Sequence, residues 1–416
     1  MRTLILLIFF LPGIVLSGQS RPLHADIVVA RDGSGDFTTL TEAVESLPMY
    51  TYERVVIYLK PGIYEEKIRI EQNHISLVGA GPEETIIRYD QLREDWIDDP
   101  DPIGPAVVNI HADDVILRDL SVINTQPETG VHAFAIYGTG TRTILYNCRV
   151  ISRGGDTVSL WNYKAGRYYH ANCYFEGGVD FVCPRGWCFI RDSRFYEVRE
   201  THTLWHAGIT DERQRLVIRN SSFDGVPGFQ LARHHYEAQF FLLNCRYSEN
   251  MADEPILHVT YPGQPERNRP YFWGDRYYFS QSDKAGEPFS WLQDNLDDSG
   301  VPSDSITAAW TFDHTWNPED STALVPYRAV RDGKDLILFF SEPVTVRGTP
   351  TLRSPTGQEW TFAEGRGRTM IRFHGPKVSG QNSDSTFEVF QGSLVPTKAY
   401  LADRACPGRL TLPLDK

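Results

Sequence analysis

Between residues 114 and 250 the chain repeats one phrase: a short apolar run, an Asn or Asp, a small or apolar residue, any residue, then an apolar one. The copies read VILRDLSV, TILYNCRV, YYHANCYF, CFIRDSRF, LVIRNSSF and FFLLNCRY, with the polar marker at Asp119, Asn147, Asn172, Asp192, Asn220 and Asn244. Successive markers are 28, 25, 20, 28 and 24 residues apart. Short β-type runs broken by Gly, Asn and Asp, with no 3.6-residue period between them, predict strands and not helices. A strand-built repeat near 25 residues predicts a right-handed single-stranded parallel β-helix, one repeat per coil. The slot after each marker holds Leu120, Cys148, Cys173, Ser193, Ser221 and Cys245, the composition of an inward stack. Its three cysteines are therefore expected to be buried and reduced.

The pattern changes at both ends. Residues 37–48, FTTLTEAVESLP, predict a short amphipathic helix with Thr at its start and Pro at its stop, placed to cover the open end of the stack. Two strand-rich coils follow before the main repeat. After Trp316 the coil phrase ends, and from about Leu324 the alternation DLILFFSEPVTVRG, QEWTFAEG, RTMIRFHG, STFEVFQG predicts a small Ig-like β-sandwich. The expected organisation is all-β: a signal peptide over 1–18, a β-helix over 25–320 and the sandwich over 324–416.

Charge and the first residues narrow the setting. Lys and Arg number 41 against 54 Asp and Glu, a net −13, which excludes a strongly cationic polyanion binder and gives no footprint for nucleic acid or an anionic membrane. Arg2, the apolar run LILLIFFLPGIVL and small residues near Ser17 and Gly18 read as an export signal, so a secreted or periplasmic protein is expected. Cys183 and Cys188 are close enough to bridge a short loop, a pairing the sequence leaves open. No Cys or His spacing matches a zinc site, and neither metal nor cofactor is expected.

Asp156, in GGDT, and Asp180, in GGVDF, lie 24 residues apart at nearly the same phase after their markers. Parallel strands are about 4.8 Å apart, so the two carboxylates should stack one coil from each other. Two such groups cannot both ionise freely, which separates an acid from a base or nucleophile. An Asp pair at this spacing also fits a purely structural ladder.

Together GSGDFTTLTEAV, PGIYEEKI, YNCRVISRGGDT, CYFEGGVDFV and LAR at 231–233 resemble the pectin methylesterases in order and spacing, across about 26–317. The resemblance implies a β-helix with a groove for polygalacturonan and removal of galacturonate methyl esters without metal or cofactor. It implies that Asp180 is the nucleophile, Asp156 the general acid and later base, and Arg233 the group that orients Asp180 and holds its carboxyl ionised. Arg233 would then lower the pKa of Asp180 and leave Asp156 the more protonated of the two.

Departures from that pattern accompany the match. Gly155 stands where the family usually has a Gln before the acid, and His132 where it has a second Gln one coil earlier. These amides stabilise the oxyanion in the family, and loss of one such donor can cost about 2.7–4 kcal/mol. His234 and His235 replace a Pro-Trp pair; they alternate along a strand and face opposite ways, poor geometry for a shared metal. Trp161, Trp205, His132 and His235 are the candidate substrate contacts. Three functions follow: an esterase on pectin or methyl-esterified homogalacturonan acting as a monomer, a β-helix glycoside hydrolase using the two carboxylates, or a non-catalytic pectin-binding protein.

Overall fold

The computed structural model describes residues 25–320, 324–376, 386–396 and 408–412. The expected signal peptide lies outside the described residues. Of the chain's six cysteines, Cys406 also lies outside them; the other five are free and buried, so Cys183 and Cys188 do not pair.

The repeat builds a parallel β-helix. Eight strands, Ile68–Ile70, Ala106–Ile110, Phe134–Gly138, Val158–Leu160, Val182–Pro184, His202–Trp205, Gln230–His234 and Leu257–His258, stack in sequence order into one parallel sheet. Two further runs of parallel strands form the other faces of the coil. They are joined where Ile116–Asn124 and Thr143–Ile151 each continue through a corner. The markers are those corners: Asp119, Asn147, Asn172, Asp192, Asn220 and Asn244 all have φ between 49° and 55°. Asn and Asp tolerate this left-handed conformation better than other non-Gly residues. Their side chains also link coil to coil, Asn147 Nδ2 donating to Asp119 Oδ1 at 2.6 Å and Asn172 Nδ2 to Asn147 Oδ1 at 2.9 Å.

The slot after each marker points inward, and Leu120, Cys148, Cys173, Ser193, Ser221 and Cys245 are all buried. The two serines satisfy themselves along the stack, Ser193 Oγ accepting from Cys173 N and Ser221 Oγ from Ser193 N, both at 3.1 Å. Two residues further on, in-register aromatics fill the interior: Phe175, Phe195, Phe223 and Tyr247. Phe195 lies parallel to Phe223 at 4.4 Å and stacks on Phe175 at 5.4 Å. Phe195→Ala would open a cavity between two coils that cannot collapse, and should cost about 3–5 kcal/mol in denaturant unfolding; a loss below about 1 kcal/mol would contradict this packing.

The predicted helix is Leu40–Glu45, with the Thr39 side chain accepting from Glu42 N and Leu40, Ala43 and Val44 buried in the first coil. Beyond the last coil the chain runs back along the outside of the stack. Ile306, Ala308, Phe312 and Trp316 pack on the outer face formed by Tyr169, Phe189, Val217 and Phe241. The polar contacts retreat in the same order: Arg219 Nη1 donates to Ile306 O, Arg215 pairs with Asp313, and Glu319 meets Arg191 and the Tyr169 hydroxyl.

The C-terminal strands form an antiparallel sheet around their own core, which includes Leu336, Leu338, Leu352, Trp360, Phe373 and Phe387. Its spine is the 19-residue strand Asp335–Arg353, whose register shifts let one half pair with Arg328–Asp332 and Arg368–His374 and the other with Thr386–Pro396. This sheet returns to the first coil through Arg347–Asp26 at 2.6 Å and Val346 N to Glu53 Oε1 at 2.7 Å.

Candidate active site

Asp156 and Asp180 each sit two residues before a strand of the eight-stranded sheet. Val158 pairs with Val182, so the carboxylates occupy equivalent places on adjacent coils. Both backbones are left-handed (φ 58° and 54°), and so is Val179 at 57°. A β-branched residue rarely adopts that conformation, and such strain collects where a side chain must be aimed. The turn is held by Asp156 N to Val179 O at 3.1 Å and Asp180 N to His202 O at 2.7 Å.

Arg233 comes from two coils further on, in Gln230–His234, and reaches back about 9.6 Å across the intervening strand. Nε lies 2.9 and 3.1 Å from the two Asp180 oxygens, and Nη2 2.8 Å from Oδ2. This is a forked, charge-assisted grip on one carboxylate. Asp180 is 7% exposed. Burial raises its carboxyl to about 6, against the lowering effects of Arg233 and Arg185 and with Asp156 adding to the rise. The sequence-based expectation that the Arg would leave Asp180 with a lowered pKa is thus corrected. Loss of water outweighs the ion pair, and the sequence carries no measure of that enclosure.

Asp156 accepts from Ser159 Oγ at 3.2 Å, and Ser159 in turn accepts from Trp161 Nε1 at 2.6 Å. Gly155 bridges to His132 on the preceding coil. A Cβ at Gly155 would meet Val179 O at 3.1 Å and Gly178 O at 3.2 Å, so the turn that carries Asp180 crowds any side chain there. The His132 side chain is half exposed, with Nδ1 3.4 Å from Glu94 Oε1.

Trp161 is half-buried and Trp205 only 6% exposed, its Nε1 donating to His235 Nδ1 at 3.1 Å. His235 is therefore a neutral acceptor at Nδ1, and burial beside Arg233 pushes its imidazole down. His234 faces the other way, fully buried between Tyr236 O and the Tyr277 hydroxyl. Among the described residues no cluster of three or more His, Cys, Asp or Glu could hold a metal.

Three neighbours escaped the sequence reading. Arg185 lies between the rings of Trp161 and Trp205, its guanidinium carbon 4.3 Å from each ring centroid. It follows Trp161 by 24 residues, the offset that relates the two carboxylates, and that spacing could have found it. Glu197 is fully buried and burial raises its carboxyl to about 9. His202 is driven down to about 4, first by burial and then by Arg233.

A parallel β-helix bearing an arginine-gripped carboxylate, with a second carboxylate one coil away, is the class of protein that fold and site define. Residues 26–224, most of the β-helix, match the pectinesterase family model. Probable pectinesterase 56 of Arabidopsis thaliana is 36% identical over 163 residues, covering 39% of this chain and 54% of that protein. Pectinesterase 4 of the same plant is 31% identical over 252 residues, covering 60% of this chain and 39% of the relative. The chain thus spans about half the length, or less, of these curated relatives. Among solved structures, pectin methylesterase from carrot superposes with a TM-score of 0.54 at 23% identity, covering 65% of this chain and 86% of that one. Pectin methylesterase PemA from Erwinia chrysanthemi gives 0.58 at 18% identity, covering 71% and 99%. At these identities the solved structures speak to the fold.

Proposed function

We propose that this chain is a secreted carbohydrate esterase that hydrolyses methyl esters of galacturonate units in pectin and releases methanol. The observation that carries the reading is the forked grip of Arg233 on buried Asp180, with Asp156 in register one coil away. One carboxylate is oriented by a cation and shielded from water, as a nucleophile requires. The other accepts, among the described side chains, from Ser159, and serves in this reading as the proton carrier.

Ionised Asp180 attacks the ester carbonyl carbon, and the carbonyl electron pair moves onto oxygen. As the tetrahedral intermediate collapses, the C–O bond to methoxide breaks and Asp156 gives methoxide its proton. Asp156, now a carboxylate, takes a proton from water, whose oxygen attacks the acyl-Asp180 carbonyl and frees Asp180. In this reading His132, whose backbone bridges to Gly155, is the candidate donor toward the oxyanion in the absence of an amide at 155.

A match of the described chain to pectinesterases supports pectin as the substrate, and one structural neighbour, at a TM-score of 0.58 and 18% identity, is a pectin methylesterase in complex with a hexasaccharide. Among the described residues no helix is long and apolar enough to cross a membrane. The deciding assay incubates the protein with highly methylated pectin and measures methanol, reducing ends and bound polymer. Methanol without new reducing ends is expected. New reducing ends would make the protein a glycoside hydrolase, and binding with no product would make it a pectin-binding protein.

A further inference from the structure

Arg185 has no part in the chemistry above, yet its surroundings are those of a placed charge. It is 5% exposed, follows the strand Val182–Pro184 that Asp180 precedes, and donates through Nη1 to Cys183 O at 2.6 Å. Its Nε is buried without a hydrogen-bond partner, and among the described residues it forms no ion pair. Besides the two indoles, Tyr163 lies against it, with the ring centroid 5.8 Å from the guanidinium carbon. A buried cation without a carboxylate in contact costs free energy that cation–π attraction offsets only in part. Its field is what remains to account for it. The same Trp161 that covers Arg185 donates to Ser159, and since an indole N–H can only donate, the Ser159 proton is left for Asp156. The clamp and the Asp156 carboxylate are therefore built as one unit.

We propose that Arg185 is a positioning cation for the carboxylate pair, clamped by Trp161 and Trp205 so that its positive field falls on Asp156 and Asp180 without touching either. Its charge lowers the carboxyl of Asp180 and is itself favoured by Asp156. With Gly155 lacking an amide, this field also opposes the negative charge that builds up during attack. The inference rests on reading Asp156 and Asp180 as the working pair.

Among the described residues, the charged and titratable groups around Asp180 include Arg233, Asp156, Arg185, Glu197, His202 and Cys183, whose thiol burial holds protonated. Glu197, raised to about 9, and His202, lowered to about 4, are both neutral near pH 6. Movement of the Asp180 titration in that range therefore reports on the remaining charges.

The test compares wild type, Arg185→Met, Arg185→Gln and Arg185→Lys by 13C NMR of labelled Asp carboxyls, with methanol release and KM measured alongside. Met and Gln should move the Asp180 titration up by about half a pH unit. They should also lower kcat about tenfold or more with KM little changed. Lys, which keeps the charge, should stay close to wild type. Gln retains a donor for Cys183 O and serves if Met does not fold. A folded neutral variant with an unmoved titration overturns the inference, whatever the activity. Wild type that releases no methanol overturns the esterase reading, while the NMR titration still decides for or against Arg185.

Discussion

Asp180→Asn is expected to abolish methanol release, by at least about a thousandfold, while leaving the β-helix folded. The amide keeps the shape of the side chain and can still accept from Arg233, so the grip is weakened and not emptied. What disappears is the only carboxylate that Arg233 aims. The variant should also unfold no more easily than wild type above pH 6. The sign follows from linkage: a carboxyl whose folded pKa, about 6, exceeds its ordinary 3.8 contributes stability that is complete below 3.8 and lost as pH rises through 6. At pH 8 the ionised Asp180 therefore burdens the fold by about 3 kcal/mol, a load that Asn does not carry. Methanol assays with thermal unfolding at pH 5 and pH 8 check both parts. A fully active Asp180→Asn would remove Asp180 from the nucleophile's role.

The second large effect concerns pH. On the proposed mechanism Asp180 attacks only when ionised, so kcat/KM of the wild type should fall on the acid side of about pH 6. Arg233→Met removes the strongest influence that opposes burial, so the acid limb should move up by about two pH units. At pH 7 that leaves most of the nucleophile protonated, and activity should drop about tenfold from ionisation alone, with recovery toward pH 9. Stability should follow the same course. Near pH 5 the variant should resemble wild type because its carboxyl is neutral. As pH rises, stranding a buried carboxylate without its partner should cost about 3–5 kcal/mol. An acid limb that stays near pH 6 in Arg233→Met would mean that Arg233 does not govern Asp180.

Much of this was legible in the chain. The six markers gave the coil count over residues 114–250 because each corner demands a left-handed backbone, which few side chains accept. The slot that follows faces the interior, so its mixture of Leu, Cys and Ser identified the stack. The phase of Asp156 and Asp180 after their markers placed them in register, and the LAR motif supplied Arg233. What sequence could not show depends on chain returning from a distance. The path of residues 303–319 back along the outer face follows no period. The enclosure of Asp180 comes from coils before and after it, and enclosure is what turns a carboxylate expected to have a low pKa into one that titrates near 6. Arg185 was overlooked because an Arg in a loop-like stretch reads as solvated; only the shared 24-residue offset from Trp161 marks it.

The corner ladder has a consequence for how such a protein can change. Between markers the spacing ranges from 20 to 28 residues, yet the strands on either side stay in register. Extra residues are absorbed in the connections between strands, such as 206–215, and the ladder resets the count at the next corner. These connections can therefore grow, shrink or be rebuilt without disturbing the one-coil separation of Asp156 and Asp180. The register of the carboxylate pair and the length of the connections are in this way written in separate parts of each turn, free to diversify independently.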